Sequence, residues 1–227
     1  MSRVRGFVRT NSLSLVFGGL FLAALIGQAF AGLAEYNNQQ ITDGLATVSF
    51  GRYVTSADFA VDVTENWQSE YLQFLLYILA TVWFVQRGSP ESKAPGDAGT
   101  ESDREQKVGR YADAGSPVAA RAGGVTTRVY GMSLTLVMGL IFLASWLVQS
   151  LAGRVAYDEQ QLAQLQAPIS WPQYLVSAEF WNRTLQNWQS EFLAVGSMVV
   201  LSIYLRQRGS PESKPVGSPH TATGVEG

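Results

Sequence analysis

One unit occurs twice in this chain, and that duplication limits the possible folds more than any other feature. The octapeptide QRGSPESK stands at 86–93 and again at 207–214, an offset of 121 residues. The same offset runs without a gap from Ser12 and Ser133 to Lys93 and Lys214, and it carries NWQSE from 66–70 to 187–191. A fold accessible to one copy is therefore accessible to the other. Each copy holds two apolar stretches near membrane length. The expected fold class is all-α integral membrane, with four transmembrane helices arranged as two parallel-topology helical-hairpin repeats.

The boundaries follow from the apolar runs. A first repeat covers 1–93, with helices at about 12–34 and 67–86, and a second covers 129–214, with helices at about 133–155 and 188–207. The 12–34 run spans about 34 Å at 1.5 Å per residue, enough for a hydrocarbon core of about 30 Å. The second run of each repeat is shorter, about 22 Å for 71–85 and about 21 Å for 192–205, so the polar motif before it is drawn toward the membrane. Ser56 and Ser177 suit N-caps for helices that run through NWQSE, with Asp58 and Glu179 favourable at the positive end of the dipole. Residues 94–128 form a polar segment without apolar period, expected as a disordered cytoplasmic linker, and 215–227 a disordered tail. A rival reading of the first helix is a signal peptide cut after Ala31, because Ala29-Phe30-Ala31 follows a basic start. Against it, the same pattern recurs internally at 133–153. Along the first helix Gly19, Ala23, Gly27 and Ala31 form a stripe without bulk, suited to close helix packing.

Composition agrees with lipid exposure and removes several chemistries. The chain is 47% hydrophobic and 15% charged, against about 25% charged for a soluble domain. There is no cysteine and one histidine, His220, so thiolate sites, disulfides, histidine triads and multi-histidine metal centres are excluded. A net charge of −2 gives no expectation of nucleic acid. No cofactor and no metal site are expected, and no nucleophile–base pair or phosphate loop points to an enzyme.

Charge asymmetry sets the expected orientation. Of 16 basic residues, thirteen flank the sides of the apolar runs facing the termini and the linker, and three, Arg52, Arg154 and Arg183, lie on the opposite side. Both termini are therefore expected in the cytoplasm, with the chain multi-pass in the cell membrane.

Polar residues inside the spans are the candidate site. Gln28 and Glu70 lie about 9 to 10 Å from the midplane on the same side, as do Gln149 and Glu191. Asn66 shares a helix face with Glu70, and Asn187 with Glu191. The expected intramembrane cluster is thus Gln28, Asn66, Glu70, Gln149, Asn187 and Glu191, serving as structural glue or as an ion, proton or ligand site. Trp67 and Trp188 are expected as interfacial anchors. Arg87, Gly88, Ser89 and Pro90, with Arg208, Gly209, Ser210 and Pro211, form the expected cytoplasmic helix stop, glycine suiting a left-handed C′ and proline barring continuation. Ser89-Pro90 also fits a phosphorylation dipeptide. The identity of Glu-Ser-Lys in both copies is not explained by helix termination.

At these residues the chain resembles a family of uncharacterised bacterial multipass membrane proteins, marked by NWQSE-[FY]-L and then Q-[RK]-GSPESK in two copies. The match stands at 66–72 with 86–93 and at 187–193 with 207–214; Phe84 departs from the leucine seen at Leu205. The resemblance implies a membrane protein and supplies no activity, substrate or cofactor. The expected function is a non-enzymatic membrane or envelope component acting through interactions. The alternative is a small channel or transporter using Glu70 and Glu191. Expected partners are the lipid bilayer and either a second copy or another membrane protein.

Overall fold

The computed structural model describes residues 3–225, and every regular element among them is helical. In chain order these are α1 (Arg3–Thr10), α2 (Ser12–Thr42), α3 (Phe50–Val54), α4 (Ala57–Trp83), α5 (Val118–Arg121), α6 (Gly124–Gly131), α7 (Ser133–Ala163), α8 (Trp171–Leu175) and α9 (Ala178–Tyr204). The duplication is visible in the elements. α2 and α7 have 31 residues each, α3 and α8 have 5, α4 and α9 have 27, and each pair keeps the 121-residue offset.

α2 and α7 are long and apolar enough, by length and composition, to cross a membrane. They continue as helix well past the expected ends at 34 and 155, so residues on both sides of Ala31 belong to one helix. Large apolar side chains along them, among them Phe17, Leu20, Leu136 and Leu140, are exposed. α4 and α9 do not meet the same requirement, which corrects the expectation of four lipid-length helices. The reason lies at both of their ends. Each starts ten residues before its NWQSE motif's tryptophan, at Ala57 and Ala178, so its first turns are polar. Each also stops at Trp83 or Tyr204, three residues short of the expected 86 and 207, leaving an apolar part of about 20 Å.

Ser56 and Ser177 cap these helices as their position requires, accepting from the amides of Phe59 (3.3 Å) and Phe180 (3.2 Å). In the small-residue stripe of α2, a side chain built at Gly19 or Gly27 meets nothing within 4 Å among the described residues.

The chain forms two compact units. One contains the chain up to Val63 with Val148–Tyr174, the other Thr64–Leu147 with the chain from Leu175 onward. In the first unit each short helix is locked to a long one by the same device. Tyr53 of α3 presses its hydroxyl on Gly32, and Tyr174 of α8 presses its own on Gly153. Both tyrosines are buried, at 2% and 1% exposure, and each ring is flanked by a second one, Tyr36 at 5.6 Å and Tyr157 at 5.8 Å. Burial, followed by the carboxylates of Asp62 and Asp58, holds the Tyr53 phenol above its usual pKa, so it remains protonated.

The loops that lead to the short helices are pinned by one side chain each. Asn37 accepts from the Val48 amide (2.7 Å) and donates to the Val48 carbonyl (3.1 Å). At the equivalent place Asp158 accepts from the Ile169 amide (2.8 Å) but has no hydrogen to donate. Arg154 supplies it, donating to the Ile169 carbonyl (2.9 Å) while pairing with Asp158 (2.9 Å).

In the second unit Trp146 sits among Phe142, Phe180, Trp181 and Trp188, at centroid distances of 5.5 to 6.2 Å. Residues 94–128, expected without order, lie in turns, a 3-10 turn at Gly109–Tyr111 and the short α5 and α6. Their polar bonds are mostly local, such as Lys107 to Asp113 (2.8 Å), as a segment lacking an apolar period requires.

Candidate functional site

The two NWQSE motifs come together in the second unit, and they do so with different faces. At 100° per residue, Trp67 and Glu70 share one side of α4 while Gln68 and Ser69 share the opposite side; the same holds for Trp188 and Glu191 against Gln189 and Ser190 on α9. Trp188 donates its indole N–H to Gln68 Oε1 (2.8 Å), and the Ser69 hydroxyl donates to Glu191 Oε1 (3.3 Å). The tryptophan–glutamate face of copy two is thus seated on the glutamine–serine face of copy one. Gln68 and Ser69 are fully buried. One turn earlier Arg183 spans Glu179 (2.8 Å) and Glu65 (3.0 Å). Burial works against its charge, but those two carboxylates outweigh it and hold the guanidinium above its usual pKa.

The expected cluster is divided by this arrangement. Asn66, Glu70, Asn187 and Glu191 belong to the second unit, Gln28 and Gln149 to the first. Glu70 is exposed and Glu191 is half-buried. Asn187 donates to the Arg183 carbonyl (3.0 Å), a bond within its own helix. Gln149 is 1% exposed, and neither atom of its amide finds a hydrogen-bond partner among the described residues. Gln28 is half-buried on α2. Of the two expected anchors, Trp67 is 39% exposed, whereas Trp188 is tied to Gln68. Among the described residues no group of three or more acidic or histidine side chains is placed to hold a metal ion.

The octapeptides form turns of their own beyond the helix ends, rather than the stops themselves. The amides of Gln86 and Gln207 donate to the hydroxyls of Ser92 (2.8 Å) and Ser213 (2.9 Å), while Gly88 and Gly209 take φ of 89° and 81°. That is a region where a Cβ is strained, which explains the glycine, and the closing bond explains the serine of Glu-Ser-Lys. Ser89 and Ser92 are buried in this turn, so Ser89-Pro90 is not presented for modification. The carbonyls left open at the helix ends are met differently in the two copies. In copy one the linker amide of Gly99 donates to Val82 (2.7 Å); in copy two the Arg206 guanidinium donates to the carbonyls of Ser202 (3.2 Å) and Ile203 (3.1 Å).

The two motif lysines also diverge. Lys93 pairs with Glu101 (2.9 Å) in the linker. Lys214 is buried, and its ammonium donates to the carbonyls of Gly88 (2.5 Å), His220 (3.0 Å) and Ala222 (3.2 Å). The tail, expected without order, is thereby clamped on the first turn, with Gly88 N–H donating to Thr223 (2.8 Å) and Gly224 N–H to Ser89 (3.1 Å). Burial, and then Arg206, holds the Lys214 pKa below the usual lysine range. The one histidine, His220, lies 3.0 Å from the Ile203 carbonyl and serves the same tail contact.

Nothing in the composition pointed to the Gly32–Tyr53 lock, the Asn37 and Asp158 pins or the Lys214 clamp. The available signal was identity between copies outside the two motifs, as at Gly32/Gly153 and Tyr53/Tyr174. Compared with known proteins, residues 4–225 match a family model described as a domain of unknown function (DUF6766). No curated protein and no solved structure matches.

Proposed function

Since the chain belongs to the DUF6766 family, a domain of unknown function, we propose its role from its own geometry: a multi-pass integral membrane component that works through protein contacts rather than bond-making chemistry. The observation that carries this reading is the exposed apolar surface of α2 and α7, which a hydrocarbon environment would cover. The basic residues support a cell-membrane orientation with both termini and the linker in the cytoplasm. In that topology α4 and α9 return the chain across the bilayer. Their short apolar parts call for local thinning, and their polar first turns lie along the far interface.

Reporter fusions at Asp43 and in the linker at Lys107 test this. The expected result is an extracytoplasmic signal at Asp43 and a cytoplasmic one at Lys107. Equal signals at both positions, or full release of the protein by alkaline carbonate, refute it.

A second reading has one observation in its favour: Glu191 accepts from Ser69 (3.3 Å), the neighbour of Glu70 in the other motif, so both glutamates belong to one motif pair in the second unit. There they would serve a small channel or transporter as an ion or proton site. Liposome flux that disappears in the Glu70→Gln/Glu191→Gln protein, with the protein level unchanged, would favour it. Absence of flux in the unaltered protein rules it out.

A further inference from the structure

α1 and α6 stand at the same place in the two repeats, Arg3–Thr10 and Gly124–Gly131 being 121 positions apart. Each runs into a long helix through one interrupting residue, Asn11 with φ −118° and ψ 17° or Met132 with φ −112° and ψ 7°, both away from helical values. An apolar edge is kept in both copies, since Val4 and Val8 of α1 correspond to Val125 and Val129 of α6. All four valines are exposed. The charge is not kept. Arg3, Arg5 and Arg9 correspond to Gly124, Thr126 and Tyr130, and no acidic residue occurs before Glu35 to offset the three arginines.

Val4, Phe7 and Val8 fall within an arc of about 100° on α1, with Arg5 and Arg9 side by side on its flank. Phe7 and both of these arginines are exposed. An apolar stripe edged by cations suits a helix in a membrane interface, its apolar face at the acyl boundary and its charges among the headgroups. Depth agrees with this. Residues 12–34 already fill a hydrocarbon core of about 30 Å, so α1, about 12 Å long, falls beyond its end at headgroup level. We infer that α1 is a docking surface for anionic lipid headgroups, with Arg5 and Arg9 on phosphate oxygens and Val4, Phe7 and Val8 at the acyl boundary. Charge complementarity selects this occupant: an uncompensated basic segment next to a membrane span is drawn to a negatively charged leaflet. α6 is the internal comparison, because it keeps the valines with a single arginine, Arg128. The inference deepens the membrane role proposed above and rests on it.

The chain has no cysteine, so one fluorophore can be attached at a chosen position of the full-length protein. The protein labelled at Val8→Cys is placed in nanodiscs of phosphatidylcholine, or of phosphatidylcholine mixed with phosphatidylglycerol, and an uncharged aqueous quencher reads the label's accessibility. The expected result is protection in the mixed discs that weakens as salt is raised. Arg5→Gln/Arg9→Gln should lower the ratio of protected to accessible label by about fivefold per arginine at low ionic strength. A label at Val129→Cys should respond much less to lipid charge. A label at Leu20→Cys reports the membrane reading by itself and should be protected in both kinds of disc. With Leu20 protected, protection at Val8 that ignores lipid charge overturns the proposal and leaves the membrane reading standing. If such protection is nonetheless lost in the Arg→Gln chain, the occupant is an acidic protein segment instead. A lipid response that survives the loss of both arginines, or an equal response at Val129, overturns the proposal as well. An accessible label at Leu20 overturns the membrane reading and this inference together.

Discussion

Changing Asn37 to Asp separates two ways of pinning the same loop. The native amide accepts from the Val48 N–H at 2.7 Å and donates to the Val48 carbonyl at 3.1 Å. An aspartate keeps the first bond and loses the second, and it sets a carboxylate oxygen against a carbonyl oxygen. Leaving a buried acceptor without its donor costs about 1–3 kcal/mol; for this part-buried site the lower half, about 1–2 kcal/mol, is expected. That corresponds to roughly a 5- to 30-fold loss in the ratio of folded to unfolded protein. The second repeat already contains the remedy, because Asp158 there is served by Arg154, which also donates to the Ile169 carbonyl. Leu33 is the residue equivalent to Arg154. Leu33→Arg should therefore restore at least half of the loss in the Asn37→Asp background and should give no gain in the unaltered protein. Denaturant or thermal unfolding in a fixed detergent, analysed as a double-mutant cycle, measures the coupling. A neutral Asn37→Asp variant, or equal effects of Leu33→Arg in both backgrounds, would show that the hydrogen-bond exchange between repeats is misread.

Two further outcomes are expected from contacts that recur or diverge between the repeats. Gly32→Ala and Gly153→Ala each place a methyl group on a tyrosine hydroxyl, so each should destabilise by about 1–3 kcal/mol in the same unfolding assay. Pairing either with loss of that hydroxyl, Tyr53→Phe or Tyr174→Phe, should recover part of the loss, and failure of both pairs to do so would remove the lock. Lys214→Gln should release the tail, read as faster proteolysis or hydrogen exchange at 219–224. Lys93→Gln, which alters a linker contact, should leave those positions unchanged.

Much of the architecture was legible because it rests on local signals. The 121-residue repeat, the N-caps at Ser56 and Ser177, the two long apolar helices and the turn chemistry of Gly88 and Gly209 all depend on neighbours within a few positions. Helix ends were less legible. α4 and α9 stop three residues before their octapeptides; the Val82 carbonyl is met by Gly99 from the linker, a partner no local pattern announces, while the Ser202 and Ile203 carbonyls are met by the nearby Arg206. The long-range pins were hidden for the same reason: Asn37 and Asp158 each hold a loop residue eleven positions away.

Only the tertiary structure decided how two identical motifs are used. From the sequence alone Gln68 and Gln189 are equivalent, as are Glu70 and Glu191, and nothing distinguishes a symmetric pair from an asymmetric one. Packing removes the equivalence. When one face of a repeat seats on the opposite face of its duplicate, each copy buries a different side, so the same residue becomes a buried partner in one place and an exposed one in the other.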